Sequence, residues 1–215
     1  MIMSCMCFVD FEKAFDRVNW RKLLEVLKDI GVDWKDRRLI SELYMQQEAV
    51  IRVGGELSRS AIIGRGVRQG CLLSPTLFSV YVESMMKEAM DGSEDGVNVG
   101  GVLLRDVRFA DDQAMVDSSE AGLQRTMSSL KQSANTYDMK KNIKKTKVMR
   151  ICRTGGEKMH IAINGQPVEQ VQHFQYLGTW ISENGSCERE IRTRIGVAKE
   201  AFKKHKELLT KTIKN

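Results

Sequence analysis

The sequence has few prolines, no internal repeat and no long apolar run. Its two prolines, Pro75 and Pro167, leave no proline-rich linker. No uninterrupted apolar stretch approaches the roughly 18 residues that a membrane helix needs. The first ten residues lack a basic leader and end on Asp10, which is not the pattern of a signal peptide. We therefore expect an intracellular protein of the nucleus or cytoplasm that is not secreted and has no membrane partner.

Cysteine and glycine motifs are equally sparse. The five cysteines are an odd number, are scattered along the chain and include no CxxC pair, so the sequence predicts neither a disulfide framework nor a cysteine zinc site. Neither GxGxxG nor GxxxxGK[ST] occurs. Their absence disfavours dinucleotide-binding and P-loop proteins.

Charge is present in quantity and is divided unevenly along the 215 residues. The formal net charge is +6, from 34 basic and 28 acidic side chains. Residues 1–120 hold 15 Lys and Arg against 20 Asp and Glu, a net −5, whereas residues 121–215 hold 19 against 8, a net +11. An acidic site beside a basic nucleic-acid surface has this asymmetry, although a solvated basic helix would produce it too.

Hydrophobic periodicity predicts helices and hairpins in alternation. Strands are expected at Ser4 to Asp10 and in hairpins around Gly54-Gly55, Asp111-Asp112 and Asn164-Gly165. Helices are expected after Asn19, from Trp34 to about Gln47, after a Ser74 cap, after residue 120, and from Glu188 to about Lys211. The last helix is basic and places Ile191, Ile195, Phe202 and Leu209 on one side. The pattern is α+β and not a doubly wound sheet.

Carboxylates follow two apolar strands, which is unusual because aspartate is rare in strands and is expensive to bury unpaired. Asp10 follows Cys-Phe-Val, and Asp111 and Asp112 follow Phe-Ala. Alone, the Asp-Asp pair reads as a polar turn, and Asp10 as part of a helix cap. If the two tips are neighbours, their oxygen ligands suit Mg²⁺ or Mn²⁺, and two such ions can catalyse in-line phosphoryl transfer.

Three longer motifs resemble the reverse transcriptases of LINE-type, non-long-terminal-repeat retrotransposons. They read Phe-Val-Asp-Phe-Glu-Lys-Ala-Phe-Asp at 8–16, Gly-Val-Arg-Gln-Gly-Cys-Leu-Leu-Ser-Pro at 66–75 and Phe-Ala-Asp-Asp at 109–112. The resemblance implies an α+β right-hand polymerase palm with an antiparallel sheet and packed helices, with the fingers missing and a helical thumb beginning. It places the truncated reverse transcriptase domain at residues 1–182 and the start of the thumb, a basic helix, at residues 183–215.

The resemblance also implies the roles of individual residues. Asp10, Asp111 and Asp112 are the catalytic residues and bind two Mg²⁺ ions, with Mn²⁺ as a substitute. The incoming dNTP contacts a set that includes Phe15 as a steric gate against ribonucleotides and Gln69 with Gly70 as a binding loop: Phe11, Ala14, Phe15, Gln69, Gly70 and Lys145. Lys145, or alternatively Lys147, protonates the leaving pyrophosphate. The primer grip is Tyr176, Leu177 and Gly178. The implied partners are an RNA template, a DNA primer and dNTPs.

This sequence departs from the family pattern at several positions. Leu72 replaces a usual proline, Asp138-Met139 replaces Gly-Leu after Tyr137, and Lys141 replaces an apolar residue. Together with the abrupt start at the first motif, these departures lead us to expect a truncated or decaying copy of the element.

Three functions compete at this stage. An RNA-directed DNA polymerase uses every motif above. A catalytically inactive nucleic-acid-binding remnant needs only the basic half of the chain. A palm-like nucleotidyl cyclase or metal nuclease needs the carboxylates but has no use for a primer grip.

Overall fold

A computed structural model of the chain describes residues 4–153 and 157–206. The helices and strands follow one another in this order: β1 (Ser4–Val9), α1 (Ala14–Arg17), α2 (Trp20–Asp29), α3 (Trp34–Tyr44), β2 (Glu48–Ala49), β3 (Arg52–Val53), β4 (Glu56–Leu57), β5 (Ala61–Ile62), α4 (Ser74–Met90), β6 (Val97–Val99), β7 (Val102–Leu104), β8 (Asp106–Phe109), β9 (Asp112–Asp117), α5 (Glu120–Thr136), β10 (Lys147–Ile151), β11 (Ala162–Ile163), β12 (Gln166–Pro167), β13 (Glu169–Gln170), β14 (His173–Tyr176), β15 (Thr179–Ser182) and α6 (Glu188–Lys204).

A five-stranded sheet with the order β13-β10-β1-β9-β8 forms the centre of the fold. Its strands pair antiparallel, except that the two-residue β13 runs parallel to β10. Strand β1 lies in the middle and is buried on both faces. Cys5, Cys7 and Val9 point into the larger apolar cluster, whereas Met6 and Phe8 belong to a smaller cluster on the other face. This alternation follows from the two-residue period of a strand, and the predicted buried strand is confirmed.

Three helices cover one face of the sheet. In α4 the buried side chains include Phe78, Tyr81, Met85 and Met86, so this helix is central to the larger cluster. Helix α5 packs beside α4, and the Ser133 hydroxyl donates a hydrogen bond to a backbone carbonyl of that helix at 2.7 Å. Helix α2 contacts α4 from the other side, and its Asn19 cap is confirmed by bonds from two backbone N–H groups. These contacts join the three helices into one layer on this face of the sheet.

The opposite face of the sheet is covered by the β14–β15 hairpin. Phe174 stacks on Phe8 with ring centroids 4.1 Å apart, and Tyr176 lies against the same ring at 5.7 Å. The smaller apolar cluster therefore ties the hairpin to the central strand.

Several element boundaries differ from the sequence expectations. Helix α3 ends at Tyr44 and not near Gln47. The residue that caps α4 is Leu73, because the Ser74 side chain is buried and hydrogen-bonds to the Tyr44 hydroxyl at 3.3 Å. The hairpin around Gly54-Gly55 exists, but as two nested pairs of two-residue strands whose residues are all exposed. Tertiary contacts decide these ends, which local patterns alone do not define.

The terminal helix α6 has no buried residue. Its apolar side chains Ile191, Ile195 and Phe202 are about half exposed, and the predicted continuation through Leu209 to Lys211 lies outside the described residues. Within the described ranges, no helix combines the length and apolar character that a membrane span requires.

Candidate active site at the edge of the sheet

The antiparallel register of β1 and β9 brings the two groups of carboxylates together. Val9 pairs with Gln113, so Asp10, which follows Val9, and Asp112, which precedes Gln113, lie at the same edge of the sheet. Partial burial raises the pKa of the Asp112 carboxyl, and the negative charges of Asp111 and Asp10 raise it further. The three side chains therefore form one electrostatic unit, which we call the acidic edge.

The tip of the β8–β9 hairpin is held by two side chains. Phe109 pairs with Asp112, so Ala110 and Asp111 form a two-residue turn, with Ala110 at φ 52°. The buried Gln113 amide donates to the Ala110 carbonyl at 2.8 Å. The Tyr176 hydroxyl donates to the Val107 carbonyl at 2.7 Å and to the Asp112 carbonyl at 3.1 Å. Burial raises the Tyr176 pKa to about 12, so this donor keeps its proton at neutral pH.

Asp10 is held by the turn before β10. The Asn142 N–H donates to the Asp10 carbonyl at 2.8 Å, and the Asp10 N–H donates to the Thr146 hydroxyl oxygen at 3.4 Å. Thr146 is fully buried and donates its own hydroxyl to the Asn142 carbonyl at 2.8 Å. This turn fixes the Asp10 backbone and presents Lys144 and Lys145 beside it.

Two cavities open beside the acidic edge, and Asp10 and Lys145 line both. One, of about 470 Å³, is also lined by three basic residues, Lys13, Arg17 and Arg65, and we call it the Asp10 cavity. The other, of about 360 Å³, contains Asp112 together with Phe8, Phe174, Tyr176, Lys144 and Lys147. Of the two lysines considered for proton donation, Lys147 forms an ion pair with Glu169 at 2.6 Å, whereas Lys145 forms none among the described residues.

The residues after Asp10 are packed tightly. Phe11 lines the larger of these two cavities, although only 6% of it is exposed, and Ala14 is 5% exposed. Phe15 stacks on Phe78 of α4 with ring centroids 4.2 Å apart and lines neither cavity. Phe15 is thus in contact with the core helix α4.

Gln69 and Gly70 lie in the exposed turn before α4 and line neither of the two cavities. Gly70 has φ 84°, in the left-handed region that favours glycine. The preceding backbone joins this loop to α1, because Gly66 and Val67 donate hydrogen bonds to the Val18 and Phe15 carbonyls at 2.8 and 2.9 Å.

The segment predicted as the primer grip has two different sides. Tyr176 faces the sheet and supports the acidic edge, as described above. Leu177 and Gly178 form the two-residue turn of the hairpin, with φ values of 49° and 75°, and Leu177 is 47% exposed. The turn is therefore exposed, whereas Tyr176 is buried and lines the wall of the cavity of about 360 Å³.

Two departures from the family pattern have a visible structural setting. Asp138 occupies a left-handed position, φ 51°, immediately after the α5 cap, where glycine is the usual residue. Its carboxylate accepts a hydrogen bond from the Asn19 amide at 2.6 Å. Leu72 is 98% exposed.

The donor set of the acidic edge suits a divalent cation. Its ligands are all carboxylate oxygens, they repel one another, and within the described ranges none of the three forms an ion pair. Among those same residues, however, no three Asp, Glu, His or Cys side chains are gathered closely enough to hold one metal ion. The carboxylate oxygens are therefore suitable ligands for a divalent cation, but the three side chains do not converge on one point in this structure.

Sequence reasoning missed several residues of this site. Arg65 precedes a predicted motif and reaches the Asp10 cavity only through the fold. Gln113 and Thr146 act through the backbone of the aspartates, and an isolated glutamine in a strand or threonine in a turn gives no signal of such a role.

A family model described as "Reverse transcriptase (RNA-dependent DNA polymerase)" matches residues 3–181. A Pol polyprotein from the type-1 retrotransposable element R2 of Popillia japonica is 27% identical over 188 residues, covering 83% of this chain and 26% of the relative. The RNA-directed DNA polymerase from the mobile element jockey of Drosophila melanogaster is 26% identical over 200 residues, 86% of this chain and 20% of the relative. The chain thus spans about a quarter or less of the length of these curated relatives.

Solved structures of telomerase share the fold. Telomerase from Candida tropicalis in complex with a TWJ fragment of telomeric RNA superposes with a TM-score of 0.62 at 14% identity, covering 88% of this chain and 30% of that one. The apo enzyme truncated from its C-terminal domain gives 0.59 at 16% identity, with 86% and 35% covered. The expected α+β polymerase palm and the resemblance to non-long-terminal-repeat retrotransposon enzymes are confirmed, and the chain belongs to the reverse transcriptase family.

Proposed function

We propose that this chain is the palm of an RNA-directed DNA polymerase, which adds deoxynucleotides from dNTPs to the 3′-hydroxyl of a DNA primer on an RNA template. The observation that carries the proposal is the meeting of Asp10 and Asp112 at one sheet edge, between two cavities that Lys145 and other basic side chains line. Carboxylates that can bind cations, next to basic side chains that can bind phosphates, are the groups that catalysis of phosphoryl transfer uses.

Asp10, Asp111 and Asp112 would hold two Mg²⁺ ions, or Mn²⁺ in their place. Bound there, the ions would lower the pKa of the primer hydroxyl and offset the charge that develops on the phosphoryl oxygens. Since these side chains do not yet converge, we expect cation binding to draw Asp111 and Asp112 toward Asp10. The hydrogen bonds from Gln113 and Tyr176 keep the hairpin backbone in place while the side chains turn.

The chain's other residues would position the nucleotide and the primer. Lys145 reaches both cavities and is the candidate to protonate the leaving pyrophosphate, and Arg65 lies where a triphosphate tail would enter. Phe11, which lines the cavity of about 470 Å³, would support the incoming sugar, with Ala14 and the Phe15–Phe78 stack supporting Phe11 from the core. Gln69 and Gly70 would close on the nucleotide from the exposed turn, and the Leu177-Gly178 turn would support the primer end.

The terminal helix supplies the proposed start of the thumb. Helix α6 has no buried residue, and Arg189, Arg192 and Arg194 lie exposed in its first two turns. Basic side chains on an exposed helix bind phosphates without reading the base sequence. A structural neighbour bound to a telomeric RNA fragment supports RNA as a partner.

The direct test is extension of a labelled DNA primer on an RNA template by the 215-residue chain with Mg²⁺. We expect Asp111→Asn to abolish extension and to weaken Mn²⁺ binding measured by paramagnetic relaxation. The matched control is Asp91→Asn, which alters an exposed carboxylate at the end of α4. Equal extension by the wild type and Asp111→Asn would refute the assignment of the acidic edge.

A nucleic-acid-binding remnant is the second candidate, and the lack of three converging acidic side chains among the described residues favours it. It predicts RNA binding that weakens steeply with salt. It also predicts no extension even when the fingers of a related enzyme are supplied, and no effect of Asp111→Asn on either measurement.

A further inference from the structure

A cavity of about 840 Å³ lies apart from the acidic edge. It lies between the C-terminal half of α5, the turn that follows α5, and the residues after Asp10. Five of its lining residues are basic, and we call it the basic cavity: Arg17, Lys131, Lys140, Lys141 and Lys144. Two acidic residues, Glu12 and Asp138, reduce the formal charge of its wall to +3. Its volume is in the range of small-molecule sites.

Both acidic side chains of the basic cavity already have partners. Glu12 forms ion pairs with Lys140 at 2.9 Å and with Arg17 at 3.8 Å. Asp138 accepts its hydrogen bond from an amide outside the cavity. The other three basic residues of the cavity form no ion pair within the described ranges: Lys131, Lys141 and Lys144.

Lys141 carries the strongest signal. It is 8% exposed, and its ammonium nitrogen is buried with no hydrogen-bond partner. Burial lowers the Lys141 pKa to about 8, and the positive charge of Lys131 contributes in the same direction. The acidic group that acts on Lys141 is the Cys7 thiol. Burial raises the pKa of that thiol to about 12, so it is neutral at pH 7 and adds no counter-charge. An unpaired buried ammonium beside a second positive charge is costly unless an anion accompanies it.

We propose that the basic cavity is a binding site for an oligophosphate anion, either free pyrophosphate or the phosphate tail of a nucleotide. Lys131, Lys141 and Lys144 contact the phosphate oxygens. The four rotatable bonds of Lys141 let its ammonium turn toward the cavity that the residue lines. The site depends on a lysine where the family pattern has an apolar residue, so it is a property of this chain.

The basic cavity is separate from the cavity in which the substrate phosphates were placed above. Lys145 and Arg65 line the Asp10 cavity but not the basic cavity. Lys131 and Lys141 line the basic cavity but not the Asp10 cavity. Glu12, Arg17 and Asn142 stand between them and line both. An anion could therefore pass from one to the other, although binding in the basic cavity requires no polymerase activity.

The test is calorimetric titration of the 215-residue chain with sodium pyrophosphate in the absence of divalent metal. We expect 1:1 binding that Lys131→Met and Lys141→Met each weaken at least about tenfold, as expected for loss of a charge-assisted contact. Lys28→Met, at an exposed position in the last turn of α2, is the matched control and should leave binding unchanged. In the same titration, tighter binding of a dNTP than of pyrophosphate identifies the nucleotide tail as the source of the phosphates, and equal or weaker binding identifies the free anion.

A second readout separates binding from folding. Lys141→Met removes an unpaired buried charge, so without ligand its Tm should rise while pyrophosphate binding falls. Weaker binding in Lys145→Met but not in Lys131→Met or Lys141→Met would place the anion in the Asp10 cavity and overturn the proposal. Binding of a short RNA but not of pyrophosphate would overturn it as well, and so would a Lys141→Met variant with higher Tm and unchanged binding.

Discussion

The acidic edge and the basic cavity each hold an excess of like charge, from carboxylates in the first and lysines in the second, but at different depths. Asp111 and Asp112 are exposed at the tip of the β8–β9 hairpin, where water weakens their repulsion. Lys141 is buried, where the same repulsion and the loss of hydration act at nearly full strength. The acidic edge therefore reduces stability little when empty, whereas the basic cavity destabilises the fold unless Lys141 loses its proton or finds an anion.

The largest expected effect breaks this comparison by removing the buried charge. Lys141→Met should raise the free energy of unfolding at pH 7 by roughly 3 kcal/mol, since the pKa of Lys141 falls from 10.5 to about 8 on folding. Between these pH values the unfolded chain holds a proton that the folded chain lacks, so this residue's contribution to stability rises with pH. The wild type should regain about 1 kcal/mol relative to Lys141→Met between pH 8 and 9.

Urea unfolding of both proteins across this range measures the effect. Cys7 titrates in the opposite sense above pH 9, because burial raises its pKa, so the difference between the two proteins is the quantity to compare. A difference that does not change with pH would contradict the burial of a titrating ammonium.

A smaller effect sharpens the comparison at the rim of the basic cavity. Asp138→Ala should lower the free energy of unfolding by about 1 to 2 kcal/mol, because alanine is strained at a positive φ and loses the hydrogen bond from Asn19. Asp138→Gly should stay within about 0.5 kcal/mol of the wild type, since relief of the backbone offsets the lost bond. Thermal unfolding compares the two, and equal destabilisation would exclude a backbone origin.

The smallest effect concerns the acidic edge. Tyr176→Phe removes the hydroxyl that holds the Val107 and Asp112 carbonyls, a loss of about 1 kcal/mol. Amides at the hairpin tip should then exchange with deuterium about fivefold to tenfold faster in mass spectrometry. Tyr81→Phe is the matched control, because its buried hydroxyl donates to the Tyr137 carbonyl and should alter exchange at the end of α5. Unchanged exchange at the tip would show that Tyr176 does not hold the acidic edge.

Much of the fold could be predicted because local and tertiary requirements agree. The alternation of β1, the Asn19 cap and the two-residue turn at Asn164-Gly165 are all confirmed. The hairpin around Asp111-Asp112 is confirmed, but the apolar run that leads into it from Val102 is divided at Arg105 between two sheets. Hydrophobicity alone does not say which partner a strand takes.

The residues of the candidate site were likewise predictable from the sequence only in part. The three aspartates stand out in the sequence because aspartate is rare at the ends of buried strands, but taken alone Asp111-Asp112 reads as a polar turn and Asp10 as part of a helix cap. The register of β1 against β9 decides that they share one edge. The contribution of Tyr176 could not be foreseen, since it depends on a hairpin from residues 173–182 folding over the opposite face of the sheet.

By itself, the sequence determined the periodicities, the turn residues and the motifs that identify a reverse transcriptase, because these depend on local backbone preference and side-chain type. Only the tertiary structure decided which charges meet. Asp10 and Asp112 become neighbours through pairing across about 100 residues of chain, and the fold buries Lys141 without a hydrogen-bond partner, near Cys7 of β1 and Lys131 of α5. Electrostatic energy depends on distance in space and on access to water, and the order of residues specifies neither of them directly.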